Sequence, residues 1–291
     1  MQRAAPPETW QVVGVCVFLA LAVAAVFGQC SYWKESETLW THALNCTSGN
    51  SFAHYSLGIA LLNKGKKEQA VAQFRKALEI KPDFVMARSN LGLALDQKGE
   101  VDEAIAQYRQ ALEIKPDDAV AHNNLGMALA KKGRLDEAIA SYRQAMKINP
   151  RYADAYGNLG LALAQKGEIR ETIDAWQLAL ELNPDQLNVL NNLARLLATT
   201  PDAALRSGTK AVALAEKANL LTRDGNPMVP HTLAAAYAES GRYGDAAATA
   251  RRARTMAAAQ KQDTLTAMLE KEIQLYEADK PARDVPGEKT N

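Results

Sequence analysis

Residues 119–152 read AVAHNNLGMALAKKGRLDEAIASYRQAMKINPRY, and this stretch decides the fold because its pattern recurs along the chain. A Leu-Gly pair, a second glycine and a proline each return every 34 residues. They stand at Leu57-Gly58, Leu91-Gly92, Leu125-Gly126 and Leu159-Gly160; at Gly65, Gly99, Gly133 and Gly167; and at Pro82, Pro116, Pro150 and Pro184. Several features that share one register and one period indicate a repeat architecture.

Each unit is predicted to contain two antiparallel helices, called helix A and helix B below. In residues 119–152, helix A is expected near Val120–Lys132 and helix B near Leu135–Ile148. Apolar residues at i, i+3 and i+4 spacings predict the seam between them, which comprises Leu125, Leu129, Ile139, Tyr142 and Ala145. The small residues Gly126 and Ala138 allow the two helices to approach closely. Glycine suits the turn between the helices, and the prolines end helix B. The following aspartates, Asp83, Asp117 and Asp185, are predicted to cap the next helix A.

These residues resemble the tetratricopeptide repeat (TPR), which implies an all-α, right-handed α-solenoid of about six repeats. Four regular units are expected at 51–186, a fifth, divergent unit with an insertion at 187–226, and a sixth at 227–260. A closing helix is expected at 261–280 and a polar, disordered tail at 281–291. Residues 34–50 continue the period backwards as a degenerate N-terminal half-repeat, with Ser36, Trp40 and Ala43 at second-helix positions.

Residues 9–33 contain no formal charge and are predicted to form one N-terminal transmembrane helix after a short tail, 1–8. Trp10 and Tyr32-Trp33 stand where interfacial aromatic residues are expected. The alternative is a cleaved signal peptide, which the single Arg3 and the long apolar stretch disfavour. The flanking charges place the N-terminus in the cytoplasm and the repeats on the non-cytoplasmic (periplasmic or lumenal) side.

Residues 31–50 resemble the passage from the last membrane span to the TPR array of mannosyltransferase-type membrane glycosyltransferases. That resemblance implies a location rather than an activity, since only one span precedes the repeats. Two functions therefore stay open. The first is a membrane-anchored scaffold that binds proteins or extended peptides in its concave groove. The second is a truncated part or non-catalytic subunit of a membrane glycosyltransferase complex, which would supply acceptor recognition.

The stretch Ala121-His-Asn-Asn-Leu-Gly126 resembles the TPR superhelix of O-GlcNAc transferase. In that family, an asparagine immediately before Leu-Gly lines the concave face and holds the backbone of an extended peptide. The resemblance implies the same role for Asn90, Asn124, Asn158 and Asn192. A primary amide can donate to and accept from any peptide group. Further groove residues are predicted from their positions on the same helices, namely Asn123, Asn191 and Met127, with Met86, Val120 and Leu161 beside them. The alternative is that these asparagines brace neighbouring helices.

Other recurring polar residues are assigned structural roles. Lys64, Lys98, Lys132 and Lys166 are predicted to complement the carbonyl ends of their A helices, although a positive stripe that grips acidic ligands is the alternative. Acidic residues at Asp102, Glu103, Asp136 and Glu137 suit the N-termini of B helices. His42, His54, His122 and His231 show no metal spacing, and packing is the favoured role of His54 and His122.

Composition and charge exclude some functional classes. The chain has 291 residues, of which 47% are hydrophobic and 23% charged, and its net charge is +1. No basic stripe with interleaved aromatic residues is present, so no nucleic-acid partner is expected. We predict no catalytic residue, no metal site and no cofactor. The cysteines are Cys16, Cys30 and Cys46; a Cys30–Cys46 disulfide is conceivable in an oxidising compartment, but the helix predicted between them disfavours it.

Overall fold

The structure is a computed structural model that describes residues 36–222 and 225–283. Within these ranges the chain folds into fourteen α-helices and one short 3₁₀-helix, without a β-strand. The predicted all-α architecture is therefore confirmed. The helices group into two compact units, unit 1 up to residue 133 and unit 2 from residue 134.

The described part of unit 1, from residue 36, contains six helices that pack in chain order. They are α1 (Ser36–Cys46), α2 (Ser51–Asn63), α3 (Lys67–Ile80), α4 (Val85–Lys98), α5 (Val101–Ile114) and α6 (Ala119–Lys131). Helix α1 stands at the predicted half-repeat, and its Trp40 ring packs edge-on against Phe52 of α2 at 5.6 Å between centroids. The A helices α2, α4 and α6 also contact one another in sequence, so they line one side of the unit.

In unit 2 the residues described up to 283 form eight helices that likewise pack in chain order. They are α7 (Leu135–Ile148), α8 (Ala153–Lys166), α9 (Ile169–Leu182), α10 (Leu187–Thr199), α11 (Gly208–Leu221), α12 (Met228–Glu239), α13 (Tyr243–Ala259) and α14 (Asp263–Glu277). The 3₁₀-helix Ala203–Leu205 occupies the predicted insertion between α10 and α11. Helix α14 closes the unit against α13 and buries Leu265, Leu269 and Ile273.

In three of the helix pairs, a glycine of helix A packs directly against an aromatic ring of helix B. A Cβ atom built on Gly92 would lie 2.8 Å from Cε1 of Tyr108, which is 1% exposed and has no space to withdraw. The same contact joins Gly58 to Phe74 and Gly160 to Trp176. These glycines therefore set the distance between helix A and helix B, as the sequence predicted for this position.

Each of the three predicted N-caps is wrong by one residue. Helix α4 begins after Phe84 and helix α10 after Gln186, so the side chains of Asp83 and Asp185 lie too early to reach the free N–H groups. In α6 the cap is Asp118 rather than Asp117, and its carboxylate accepts from the N–H groups of Val120 and Ala121, each at 3.1 Å. The loop after each proline is thus longer than the sequence indicated.

The predictions for the two ends of the chain have different outcomes. The transmembrane helix predicted at 9–33, and Cys16 and Cys30, lie outside the described residues. Within the described residues, no helix is both long enough and apolar enough to cross a membrane. The predicted disordered tail starts too early, because Ala282 is buried and Arg283 forms a 2.6 Å ion pair with Glu239. The arginine also donates to the carbonyl of Ala198, which ties residues 281–283 to α10 and α12.

Because only one of two helical glycines packs against an aromatic ring, we expect alanine to change the free energy of unfolding in opposite directions at the two positions. Gly92→Ala should lower the free energy of unfolding by about 1–3 kcal/mol, because the added methyl group overpacks the Tyr108 ring. Gly244→Ala should raise the free energy of unfolding by about 0.5–1 kcal/mol, because nothing lies within 4 Å of its Cβ and alanine favours the helix. Urea unfolding followed by circular dichroism measures both. Equal changes in the free energy of unfolding of the two variants would show that the Gly92–Tyr108 contact does not limit the size of the residue at position 92.

Candidate functional site

The A helices of unit 1 expose apolar side chains at one repeated position. Phe52, Met86 and Val120 follow one another at 34-residue steps and are 53%, 53% and 55% exposed. Because α2, α4 and α6 are successive neighbours, the three side chains form a row, called the unit 1 A face below together with Asn90, Asn124 and Met127. Contiguous exposed apolar groups on a soluble surface indicate a binding site.

The predicted asparagines of unit 1 have different environments. Asn90 is half-buried, and its Nδ2 donates to the carbonyl of Met86 at 2.9 Å and to the Tyr55 hydroxyl at 3.4 Å. Asn124 is half-buried on α6, and Met127 is exposed one turn later. Asn123 is only 3% exposed, with its Nδ2 3.6 Å from the Met127 sulfur. Its predicted role as a groove-lining residue is wrong, since one helical step turns its side chain by about 100° away from that of Asn124 and it is buried.

In unit 2 the predicted asparagines divide between two places. Asn158 is half-buried on α8, where Leu161 is exposed. Asn191 and Asn192 are half-buried on α10 and line a cavity of about 740 Å³. We call this the α10–α14 cavity; its walls also comprise Arg195, Met228, His231, Lys261, Gln262, Asp263, Thr264, Leu265 and Met268.

A buried polar network lies against this cavity. The Nε2 atom of His231 is 2.8 Å from Oε2 of Glu272 and 3.0 Å from Nη1 of Arg195. The Tyr276 hydroxyl donates to the same carboxylate at 3.1 Å, and Arg195 forms an ion pair with it at 3.7 Å. Helices α10, α12 and α14 are therefore joined through one buried glutamate. Burial alone raises the pKa of Glu272, but His231, Arg195 and Tyr276 together lower the pKa below its ordinary value.

Sequence reasoning missed this network, although one signal pointed to it. Ile59, Leu93, Met127 and Leu161 occupy one repeated position of helix A, and Arg195 occupies that position in the fifth unit. A charged residue that interrupts an apolar series needs a partner if it is buried. Its partners stand 36 and 77 residues later, in units whose spacing no longer follows the regular period, and the pairing therefore could not be predicted.

The recurring lysines are engaged in ion pairs. Lys132 lies 2.9 Å from Asp102 and Lys166 lies 2.6 Å from Asp136, so each lysine contacts the first turn of the B helix in the preceding repeat. Lys98 pairs with Glu100 at 2.8 Å, and Lys64 pairs with Glu37 at 2.9 Å. The lysines form ion pairs with acidic side chains, so their role is not only to complement the carbonyl ends of their own helices. This arrangement does not favour the alternative of a free positive stripe.

The histidines have structural contacts. Nδ1 of His54 lies 2.7 Å from the Gln73 side chain, and Nε2 of His122 lies 2.9 Å from the carbonyl of Pro116. Among the residues that the structure describes, no group of three or more His, Cys, Asp and Glu could hold a metal ion. The absence of a cofactor and of catalytic residues stays a prediction.

Comparison with known families identifies the repeats. Profiles described as TPR repeat match residues 58–99, 96–133 and 126–167, and profiles described as tetratricopeptide repeat match 153–186 and 231–252. These matches together span just over half of the chain. The chain is a TPR protein. No curated protein sequence matches it significantly.

Solved structures show the same fold. PilF of Pseudomonas aeruginosa superimposes with a TM-score of 0.66 at 23% identity, over 76% of this chain and 97% of its own. YrrB, described as a TPR protein with an unusual peptide-binding site, has a TM-score of 0.51 at 21% identity, over 66% of this chain and 96% of its own. The Cut9–Hcn1 hetero-tetramer matches with a TM-score of 0.66 at 18% identity, over 81% of this chain and 45% of that chain. At these identities the TPR fold is what is shared. The closer resemblances to mannosyltransferase-type enzymes and to O-GlcNAc transferase stay predictions.

The buried network predicts a pH-dependent loss of stability in Glu272→Gln. At pH 7 the variant should lose about 3–5 kcal/mol, because Arg195 is left without its buried negative partner and His231 loses its contact with the carboxylate. A lowered pKa in the folded state adds stability above the unfolded pKa of about 4.3, and this stability is lost as the pH falls through the folded value. The difference between wild type and variant should therefore shrink below about pH 4. Urea unfolding at several pH values measures it.

The matched control is Glu270→Gln, which changes an exposed residue on the same helix α14. Its effect on the free energy of unfolding should stay within about 0.5 kcal/mol. A difference for Glu272→Gln that is equally small at pH 7 would show that the network does not join the three helices.

Proposed function

We propose that this TPR protein is a membrane-tethered scaffold whose A helices bind extended peptides or protein partners. The observation that carries the proposal is the row of Phe52, Met86 and Val120 on the unit 1 A face, each more than half exposed. Large apolar side chains on three adjacent helices are a surface that a partner would bury. Each fully buried side chain of this kind contributes about 1.5–3 kcal/mol.

The half-buried amides beside this row supply polar recognition. The Nδ2 group of Asn90 donates to the Met86 carbonyl and the Tyr55 hydroxyl, which fixes the orientation of the amide. Its Oδ1 atom is then the atom that can accept from a ligand. An extended peptide presents main-chain N–H groups at regular intervals, and each neutral hydrogen bond contributes about 0.5–1.5 kcal/mol. Apolar contacts would therefore supply most of the affinity, and the amides would orient the main chain. YrrB, which has the same fold, is described as having a peptide-binding site.

Removal of two apolar side chains from the unit 1 A face should weaken peptide binding. Short random peptides that bind the full chain are first selected, and their Kd is measured by fluorescence anisotropy. For Met86→Ser/Val120→Ser we expect Kd to rise about tenfold or more, since two apolar contacts are lost.

The control is Ile80→Ser/Ile114→Ser, which removes two side chains of similar exposure, 42% and 44%, from the B helices of the same unit. This pair should leave Kd nearly unchanged. A failure to select any binding peptide, or equal losses in both double variants, would refute the proposed binding surface.

The membrane tether is a second part of the proposal, and it rests on the uncharged, apolar sequence of residues 9–33. We expect the full chain to sediment with membranes and to stay there after a carbonate wash, with the repeats on the non-cytoplasmic side. Deletion of 9–33 should release the chain, and deletion of 284–291 should not. Recovery of the full chain in the carbonate supernatant would contradict the tether.

The partner class proposed from the sequence of residues 31–50 is a membrane glycosyltransferase complex, to which the scaffold would supply acceptor recognition. The support is the likeness of Ser31–Leu44 to the junction between membrane span and repeats in such enzymes. A tethered array would hold acceptor chains close to a catalytic site in the same membrane. The test is whether a membrane glycosyltransferase is crosslinked to the chain in its native membrane.

A further inference from the structure

The exposed residues of α1 and α2 carry no formal charge, unlike those of the other helices in unit 1. Residues 38–63 contain no Asp, Glu, Lys or Arg, although 23% of the chain is charged. The longest uncharged stretch after residue 63 is 225–238, with 14 residues. The two charged residues that bracket the stretch 38–63, Glu37 and Lys64, form an ion pair with each other at 2.9 Å.

Comparison with the next two repeats shows which charges are absent. Four exposed positions on helix B and the loop after it carry Arg, Glu, Lys and Asp in both repeats; they are Arg75, Glu79, Lys81 and Asp83, and Arg109, Glu113, Lys115 and Asp117. The matching residues of α1 and its loop, 34 positions before the first set, are also exposed; they are Thr41, Asn45, Thr47 and Gly49. The period of the fold is kept here, but the four charges that face water in the next repeats are missing.

Helix α14, the last helix that the structure describes, differs from α1 in this respect. The end of a solenoid needs a polar outer face when that face lies in water. Helix α14 meets this need with exposed charged residues, which include Asp263, Glu270, Lys271 and Glu277. Helix α1 packs against α2 and buries none of its own residues. Its uncharged surface therefore indicates an environment less polar than water.

An aromatic pair lies at the same end of unit 1. The ring of Trp40 on α1 is half-buried and packs against Phe52 of α2, which is 53% exposed. Tryptophan is enriched where lipid headgroups meet hydrocarbon, whereas a charged group is costly to move out of water. An aromatic pair beside an uncharged helix is the composition expected at a membrane interface.

The proposed tether would bring this end of unit 1 to the membrane. The apolar stretch ends at residue 33, and α1 begins at Ser36. Three residues of extended chain span at most about 11 Å. Each headgroup layer is about 5–8 Å thick. A tether at 9–33 therefore holds the start of α1 beside the lipid headgroups.

We propose that the N-terminal end of unit 1, formed by α1, residues 47–50 and Phe52, lies on the membrane interface. This inference rests on the proposed tether and adds an orientation to it. The array stands on the membrane through its first described helix instead of swinging on a flexible linker. Since Phe52 also belongs to the unit 1 A face, the proposed peptide site would begin at the membrane surface.

A fluorescent probe on Cys46 reports how close this surface lies to the lipid. Cys46 is exposed at the end of α1, and Cys16→Ala/Cys30→Ala makes it the only cysteine of the full chain. The labelled chain is reconstituted into vesicles of phosphatidylcholine and phosphatidylglycerol in which some headgroups carry a nitroxide quencher. Matched probes on Ile80→Cys and Ile114→Cys, in a chain without other cysteines, stand at the same position of α3 and α5. We expect strong quenching at Cys46 and progressively weaker quenching at the two matched positions.

Two added charges on α1 should lift this surface from the membrane while the tether stays in place. Thr41→Glu/Asn45→Glu puts two carboxylates one turn apart on exposed positions. An anionic membrane repels each of them, so the ratio of docked to undocked chains should fall on the order of tenfold and quenching at Cys46 should fall with it. The control Gln69→Glu/Ala72→Glu adds the same charge to exposed positions of α3 and should leave the quenching unchanged.

The outcomes separate this inference from the proposed tether. If carbonate releases the chain, the tether fails and this inference fails with it. If the chain stays with the membrane but quenching at Cys46 is weak, or is unchanged by Thr41→Glu/Asn45→Glu, the docking is overturned and the tether stands. Energy transfer between probes on two chains, without an effect of the lipid quencher, would make this end an interface between copies and would also overturn the docking. Circular dichroism checks that each variant is folded, and if the double variant is not, Thr47→Glu in the exposed loop takes its place.

Discussion

The interaction on which the rest of the structure depends is the packing of an aromatic ring against a glycine that has no side chain. Phe74, Tyr108 and Trp176 each lie so close to a glycine of the paired A helix that a methyl group could not fit between them. The ring occupies the space that any other side chain on that helix would take. Because helix B presses against this one face of helix A, the residues on the other faces of helix A are left for neighbouring repeats and for ligands.

The ring type varies while the contact is kept. Trp176 satisfies its indole N–H by donating to the carbonyl of Gly157 at 3.0 Å, and burial raises the pKa of the Tyr108 hydroxyl. Polar atoms at the ring edge therefore need local partners, whereas the ring face needs only the glycine. This explains how a strict period coexists with Phe, Tyr and Trp at one position. The ion pairs between repeats, such as Lys132 with Asp102, are exposed and contribute about 0–1 kcal/mol each. Repeat stacking is accordingly an apolar effect.

The period of the sequence predicted the helices and their order, because turn glycines and prolines act locally. The ends of helices were less predictable. Whether Asp117 or Asp118 caps α6 depends on the length of one loop, and both residues are chemically suited to the role. At the candidate site, the amide before Leu-Gly was predicted correctly to lie on helix A, where it is half-buried, but Asn123 was not distinguishable from its neighbour without the packing of α6. Of the α10–α14 cavity, the sequence predicted only Asn191 and Asn192 on α10, which keeps the 34-residue period, because the opposite walls come from α12 and α14, whose spacing has left it.

Departure from the repeat is also where the most specific chemistry lies. An array of identical units could bind only in a repetitive way, with each unit contributing the same contact. Arg195 breaks that identity by placing a charge where other units carry an apolar side chain, and its burial requires Glu272 from the closing helix and His231 from α12. A buried ion pair of this kind often contributes little net stability, because desolvation of the charges offsets their attraction. Replacing such a cluster by apolar residues would commonly give an equally stable protein. The property that the cluster does supply is one defined pairing of side chains from α10, α12 and α14 beside the α10–α14 cavity.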